Sequence, residues 1–297
     1  MPAPDKATTG RVLVGATTYA ARNLMVEQAA VVAQSLHSGL QMPTNLRVAG
    51  AEVPRLRFDM FLDDALDAFG LTYAEVTTLE AYFAKTSSGV VQSGSVHVKY
   101  GKFTGCTIGA HIESFGVDEG GEAIATVCAY FFSDDGANDP VARTASVALP
   151  ALTALPEVHG IGVLTINGTA RAGMTGCRYA ANLSLVFQRT DGLPYPTGGV
   201  VSGFSPVLTI AHADPVALSS IITSKGVAIS STTSVTLQKY TAAGSGVLTT
   251  TGQKTITVAA GYVSPVAFGG GHGDLVRGGC EIRGVSTNGS AHPFTVA

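Results

Sequence analysis

Apolar and polar residues alternate along much of this chain, and a period of two places one side of a strand on a core. Tyr179 to Phe187 alternates in this way, with Leu183, Leu185 and Phe187 in step, and so does Pro54-Arg55-Leu56-Arg57-Phe58. Turn signals separate such runs. Val12-Leu13-Val14 leads into Gly15-Ala16-Thr17-Thr18, and Val163-Leu164-Thr165-Ile166 leads into Asn167-Gly168-Thr169. Asn-Gly is a strong type I′ hairpin signal, because both residues tolerate positive φ. Two short helices break the pattern. One runs through Asp63-Asp64-Ala65-Leu66-Asp67-Ala68-Phe69 and stops at Gly70; the other opens at Asp214-Pro215, an N-cap followed by a residue preset for the first helical position. A third helix is expected over 72–85, where Thr72 and Glu75 form a capping box, Val76, Leu79 and Phe83 share a face, and Ser87-Ser88-Gly89 marks the end. Strands are expected over 123–132 and from Leu275 through Ile282.

The pattern occurs twice. Gly39 and Gly192, Pro43 and Pro196, and Thr44 and Thr197 stand 153 positions apart, inside Ser38-Gly39-Leu40-Gln41-Met42-Pro43-Thr44 and Asp191-Gly192-Leu193-Pro194-Tyr195-Pro196-Thr197. Pro54-Arg55-Leu56-Arg57-Phe58 answers Pro206-Val207-Leu208-Thr209-Ile210 at 152, as do Ala65-Leu66 and Ala217-Leu218, Cys128 and Cys280, and Glu122 and Asp274. Ser133-Asp134-Asp135-Gly136 and Ser286-Thr287-Asn288-Gly289 follow the last strand of each copy, each with a proline four residues after its glycine. Residues 24–36 look helical alone, but their counterpart alternates like a strand, so both are assigned as strands. At 72–85 the copies are expected to differ, since 228–240 is rich in Ser, Thr and Val and reads as strand. The chain is therefore read as mainly β with short helices (α+β), two tandem β-sandwich or barrel domains produced by an internal duplication. The divisions are 1–9, a flexible arm; 10–146, the first domain; 147–160, a linker interrupted by Pro150 and Pro156; and 161–297, the second domain.

Composition narrows the class. The chain has 297 residues, 45% hydrophobic and only 13% charged, against about a quarter charged in ordinary soluble domains. No apolar run approaches the ~20 residues that span a bilayer, and the start lacks a signal-peptide core, so no membrane anchor is expected. A surface poor in charge then points to extensive contact with other protein. The charge is uneven: residues 1–150 hold 10 basic and 16 acidic residues, net −6, and residues 151–297 hold 8 and 5, net +3. Such halves attract if they alternate around a ring. Cys106, Cys128, Cys177 and Cys280 include no CxxC pair and are expected as buried free thiols.

No residue set promises chemistry. His212 and Asp214 are close in sequence, and His272 lies in Gly269-Gly270-Gly271-His272-Gly273-Asp274. Metal sites need three or four ligands at defined spacing, and Asp214 already serves as a cap, so both histidines are assigned to surface loops. The glycine run lacks a following Lys-Ser/Thr, no Gly-x-Ser-x-Gly elbow occurs, and Asp63/Asp64 and Asp134/Asp135 suit caps and turns. No catalytic residue, metal ligand or cofactor-binding residue is assigned, and no cofactor. The chain is expected not to be an enzyme. No basic cluster is present for tight binding of nucleic acid.

The order Asn167-Gly168-Thr169, Leu183-Ser184-Leu185, Asp191-Gly192, Pro196-Thr197, Pro206-x-Leu208-x-Ile210 and the helix from Asp214 resembles tail-tube-type domains of tailed bacteriophages. The resemblance covers most of both copies. It implies a β-sandwich or barrel with a flanking helix, and strands of neighbouring subunits joined into one inner barrel. Tubes of that family are hexameric in domains, so a two-domain chain needs three copies: a pseudo-hexameric homotrimer, stacked into a tube in the virion and assembled in the host cytoplasm. The implied partners are further copies of the chain, other virion proteins, and double-stranded DNA that passes without tight binding. Two other classes remain open: a capsid decoration or head–tail connector protein, and an extracellular tandem β-domain binding module or carbohydrate-active enzyme.

Overall fold

The computed structural model describes residues 6–35, 45–51, 53–76, 78–87, 90–91, 98–101, 107–145, 147–219, 222–241, 247–266, 278–286, 288–289 and 291–297. The repeated turn at 38–44, the end of the expected third helix at 88–89, Cys106 and the segment holding His272 and Asp274 lie outside the described residues.

The first half runs β1 (Lys6–Val14), β2 (Thr17–Glu27), β3 (Ala30–Ser35), β4 (Asn45–Ala51), β5 (Arg55–Phe61), α1 (Leu62–Phe69), β6 (Ala74–Val76), β7 (Leu79–Ser87), β8 (Val90–Val91), β9 (Val98–Gly101), β10 (Thr107–Asp118), β11 (Ile124–Phe132) and β12 (Ala142–Ala145). The second runs β13 (His159–Ile166), β14 (Thr169–Arg171), β15 (Met174–Ala180), β16 (Leu183–Arg189), β17 (Pro196–Phe204), β18 (Val207–His212), α2 (Pro215–Ser219), β19 (Val227–Ala228), β20 (Thr233–Tyr240), β21 (Leu248–Val258), β22 (Gly261–Pro265), β23 (Gly278–Gly284) and β24 (Phe294–Val296). The chain is mainly β, as expected, with antiparallel pairing throughout the described strands.

One continuous sheet follows the order β12-β9-β7-β1-β2-β5-β11-β10-β15-β18-β23-β22-β19, with β6 and β8 beside it. A second sheet has the order β14-β13-β20-β21-β24, and β3–β4 and β16–β17 form separate two-stranded ribbons. In the first half β1 pairs with β2 and β7, β2 with β5, β5 with β11, β11 with β10, β7 with β9, and β9 with β12. In the second half β13 pairs with β14 and β20, β15 with β18, β18 with β23, β23 with β22, β20 with β21, and β21 with β24. The two series of pairings have the same order, with β14 and β15 together in the place of β2. The ribbons agree in register as well. Gln34↔Leu46, Ala33↔Arg47 and Val32↔Val48 stand 153 positions before Phe187↔Gly199, Val186↔Val200 and Leu185↔Val201, and the bulge at Val31/Val32 matches the one at Ser184/Leu185.

Burial explains the layers. In β5 the alternate residues Leu56, Phe58 and Met60 are buried; in β18 it is Leu208, Ile210 and His212. In the first half Val12, Leu79 and Ala81 join Phe58, Val127 and Ala129 in one buried cluster, and α1 closes it with Leu62, Ala65 and Phe69 on one side of the helix. Leu164, Val235, Ile256, Tyr179, Ile210 and Ile282 supply the second half, and the apolar cluster is continuous between the two. Each fully buried large side chain contributes about 1.5–3 kcal/mol. Helix α1 ends at Gly70 (φ 64°), whose N–H donates to Leu66 O at 2.9 Å.

Four expectations change. Residues 72–85 do not form a helix: β6 and β7 lie there, and β7 pairs with β1 from Leu79↔Val14 to Thr86↔Lys6. Leu79 and Phe83 are four apart, a spacing that keeps side chains on one face in either period. The exposed edge of β1 and the burial of both Leu79 and Ala81 decide for the strand. Second, β1 begins at Lys6, within the segment read as an arm. Third, register pairs Phe58 with Val127 and Ile210 with Cys280, so Cys280 corresponds to Val127, and Cys128 points to the other side of β11. Fourth, His212 is fully buried rather than in a surface loop.

Candidate assembly site

The two halves meet edge to edge. β10 pairs with β15 from Ser114↔Ala180 to Asp118↔Gly176. The backbone bonds Glu119 N–H to Thr175 O and Ala181 N–H to Glu113 O, both 2.9 Å, extend the seam at its ends. On the core side the rings of Phe115 and Tyr179 stack at 4.9 Å and 8°, and Phe294 meets Tyr179 edge-on at 6.0 Å. Burial raises the Tyr179 hydroxyl pKa above its ordinary value. On the outer side Arg178 pairs with Asp118 at 3.1 Å, both side chains exposed, an arrangement that contributes little net stability.

The β16–β17 ribbon folds back across the outer side of β11. Phe187 reaches Tyr130 at 5.4 Å and Phe132 at 6.1 Å. A Cβ on Gly199 would stand 2.9 Å from Cζ of Phe132, so glycine permits this close approach. At the ribbon tip Tyr195 N–H donates to Gly136 O and Ser133 N–H to Pro196 O, both at 2.9 Å. The repeated Gly-Leu-x-x-Pro-Thr turn, in its second occurrence, thus holds the end of β11. The receiving turn is built on Asp135, which accepts bonds from Ala137 N–H and Asn138 N–H at 2.9 Å and from Ser133 Oγ at 3.0 Å. Those backbone donors pull its carboxyl down to about 2. Under this region lies His111, stacked on Tyr130 at 6.1 Å and pushed down to about 4 by burial.

Among the described residues, the corresponding positions elsewhere are more exposed. The part of β2 that pairs with β5, Arg22 to Glu27, has no partner strand on its other edge among the described residues. Leu24 and Val26, which hold the places of Cys177 and Tyr179, are only half-buried, and Met25 is exposed. On the outer side of β22–β23, Tyr262, Val266 and Val285 are exposed. The turn after β23 repeats the receiving turn: Ser286 Oγ bonds Asn288 Oδ1 at 3.3 Å and Ala291 N–H donates to Asn288 Oδ1 at 2.7 Å. Gly289 (φ 77°) is exposed where Gly136 (φ 71°) is buried.

A polar cluster lies where α1 meets the second half, and nothing in the sequence pattern singled it out. One ligand atom each of Asp63, Glu157 and His159 lies within 4.8 Å of the others. Lys254 Nζ stands 2.7 Å from Asp63 Oδ1, and Lys239 is bonded to Glu157. The bond to Asp63 raises the Lys254 pKa. Nε2 of His159 is 3.0 Å from Gly252 O, and Ala123 N–H donates to His159 O at 2.7 Å. Two ammonium groups balance two carboxylates, so the cluster carries no excess negative charge to attract a cation. Its geometry suits a clamp: Asp63 belongs to the first half and Lys254 to the second. Asp64, beside it on α1, is raised to about 6 by burial and by its neighbours Asp63 and Asp67.

The residues considered from sequence do not converge. His212 Nδ1 accepts the N–H of Asp214 at 3.0 Å, and burial pushes its pKa down. Gly173 lies against its ring. Cys128, Cys177 and Cys280 are free and buried. No helix among the described residues is long and apolar enough to cross a membrane. Comparison with protein-family models and with curated proteins gives no match.

Proposed function

We propose that this chain is a structural protein of a tailed-bacteriophage virion, a tail-tube protein whose two halves descend from one duplicated domain. Three copies close a pseudo-hexameric ring, and rings stack around a DNA channel. The observation that carries the reading is the pair of edges. β10 joins the halves by pairing with β15, and the matching edge of β2 has no partner strand among the described residues. Repeating the same contact between chains, second half to first, gives a head-to-tail interface, and such an interface forms a closed ring when its rotation closes. Closure also removes an edge that would otherwise template uncontrolled pairing. The shared order of pairings and the identical ribbon registers support the duplication, and the opposite net charges of the halves favour unlike neighbours. The low charge content fits a surface largely spent on contacts between subunits, and a weakly acidic protein surrounds DNA without gripping it. The role is structural, with no catalytic set.

Native mass measurement and negative-stain imaging of the purified chain test this reading. Trimeric rings, alone or stacked into tubes, are expected. A stable monomer or dimer at tens of micromolar rejects the ring, and isolated knobs on capsids point to a decoration protein instead.

A further inference from the structure

The outer sides of β11 and β23 differ in the presence of a ribbon and in the side chains beneath it, Tyr130 and Phe132 in one and Arg283 and Val285 in the other. In the first half the ribbon β16–β17 lies on Tyr130 and Phe132 and its tip bonds Ser133 and Gly136. In the second half the same places are held by Arg283, Val285, Ser286 and Gly289; Arg283, Val285 and Gly289 are exposed, Ser286 is half-buried, and Ser286 and Gly289 border a cavity of about 400 Å³ lined also by Tyr73, Val201 and Phe204. The ribbon β3–β4 has the register of β16–β17, residue for residue at 153 and with the same bulge. An isolated two-stranded ribbon is marginal in water, so it needs a surface to lie on.

We propose that the β3–β4 ribbon of a second copy of this chain docks on the outer side of β22–β23, over Val285 and the turn at Ser286 to Gly289. The inference rests on the head-to-tail association above and adds the surface by which it is locked. The same chain-to-chain step that sets the open edge of β2 against the second half of another copy carries the ribbon that follows β2 over β23, just as the step from β10 to β15 carries β16–β17 over β11. The exposed residues Tyr262 and Val266 extend the apolar floor, and a cavity of about 260 Å³ lies beside Val266, lined also by Arg178, Thr209 and Gly279. By register Leu46 stands where Gly199 stands, the residue set against Phe132, and Val285 stands where Phe132 stands.

The test co-expresses two forms of the full chain, one carrying Leu46→Cys and one Val285→Cys, and treats the product with a short bismaleimide. A covalent dimer on a denaturing gel is expected, roughly tenfold above either form alone or the wild type. A second variant, Val285→Asp, changes an exposed position and is expected to keep its circular dichroism spectrum while raising the concentration needed for assembly about tenfold. Rings that form without the cross-link, and at wild-type concentration with Val285→Asp, overturn the docking and leave the ring standing. A wild-type chain that stays monomeric overturns both.

Discussion

Phe132 and Val285 hold corresponding places at the ends of β11 and β23, yet Phe132 is 1% exposed and Val285 57%. Tyr179 and Val26 make a second such pair: one is sealed in the seam between halves, and the other sits half-buried on an open edge. In both pairs the covered member lies where the second half meets the first, and the bare member lies where the first half would meet a second half. Tyr179 and Val26 both lie in paired strands, and Phe132 ends β11 where Val285 directly follows β23, so strand formation alone does not account for the difference. What differs is whether the covalent chain already supplies the neighbour. In the proposed ring, the covered regions are the pattern for what the bare regions would receive.

The largest effect that would test this comparison lies in the seam. Tyr179→Ala removes a fully buried ring stacked on Phe115 and is expected to cost about 3–5 kcal/mol, read as a fall in the denaturant midpoint. An equal loss from Val26→Ala in the monomer would erase the distinction between seam and open edge. Next is the clamp: Lys254→Met leaves the buried Asp63 without its cation, at a cost of about 3 kcal/mol. Restoring wild-type stability by adding Asp63→Asn would confirm that the unpaired charge is the cause.

The third test is by pH. His111 has a folded pKa of about 4 against an ordinary 6.5, so the fold favours its neutral form. That contribution is fully present above pH 6.5 and is lost as pH falls from 6.5 through 4, with a limit on the order of 3 kcal/mol. The drop in Tm between pH 7 and pH 4 is expected to be smaller for His111→Gln than for the wild type; equal drops would show that the ribbon side of β10 does not exclude protons. Asp64 works in the opposite direction, since its raised pKa makes the fold lose stability as pH rises from about 4 to about 6. The smallest effect is on the open edge. Val26→Ala is expected to change monomer stability by less than about 1 kcal/mol while shifting the ring-to-monomer ratio toward monomer in sedimentation.

The fold class was legible because alternation is local. Leu56, Phe58 and Met60 announce their strand, Asn167 (φ 48°) and Gly168 (φ 79°) make the predicted hairpin turn, and Gly70 ends α1 as expected. Residues 24–36 were legible only by comparison with 179–187, and the structure gives β2 and β3 there. The segment 72–85 misled because Leu79 and Phe83 satisfy both periods, and the arbiter, the open edge of β1, lies about seventy residues away. The pairing of Cys128 with Cys280 was off by one because offsets of 152 and 153 coexist, and only register separates them. The candidate site was less visible still. Glu157 and His159 are two apart, but Asp63, Lys239 and Lys254 come from distant segments, and no spacing rule joins them.

The sequence by itself determined the strands with a clear alternation, such as β5, β11 and β18, the turns at Gly70 and Asn167-Gly168, the two short helices and the recurrence of one pattern at 152–153 positions, because each depends on residues close in the chain. Tertiary structure alone decided that β10 of one half pairs with β15 of the other, that the ribbon β16–β17 lies over β11, and that His212 is buried. Those outcomes depend on which surfaces meet, and surfaces meet only after the strands have paired. For the same reason only the tertiary structure shows that Val285 and the edge of β2 have no neighbour among the described residues.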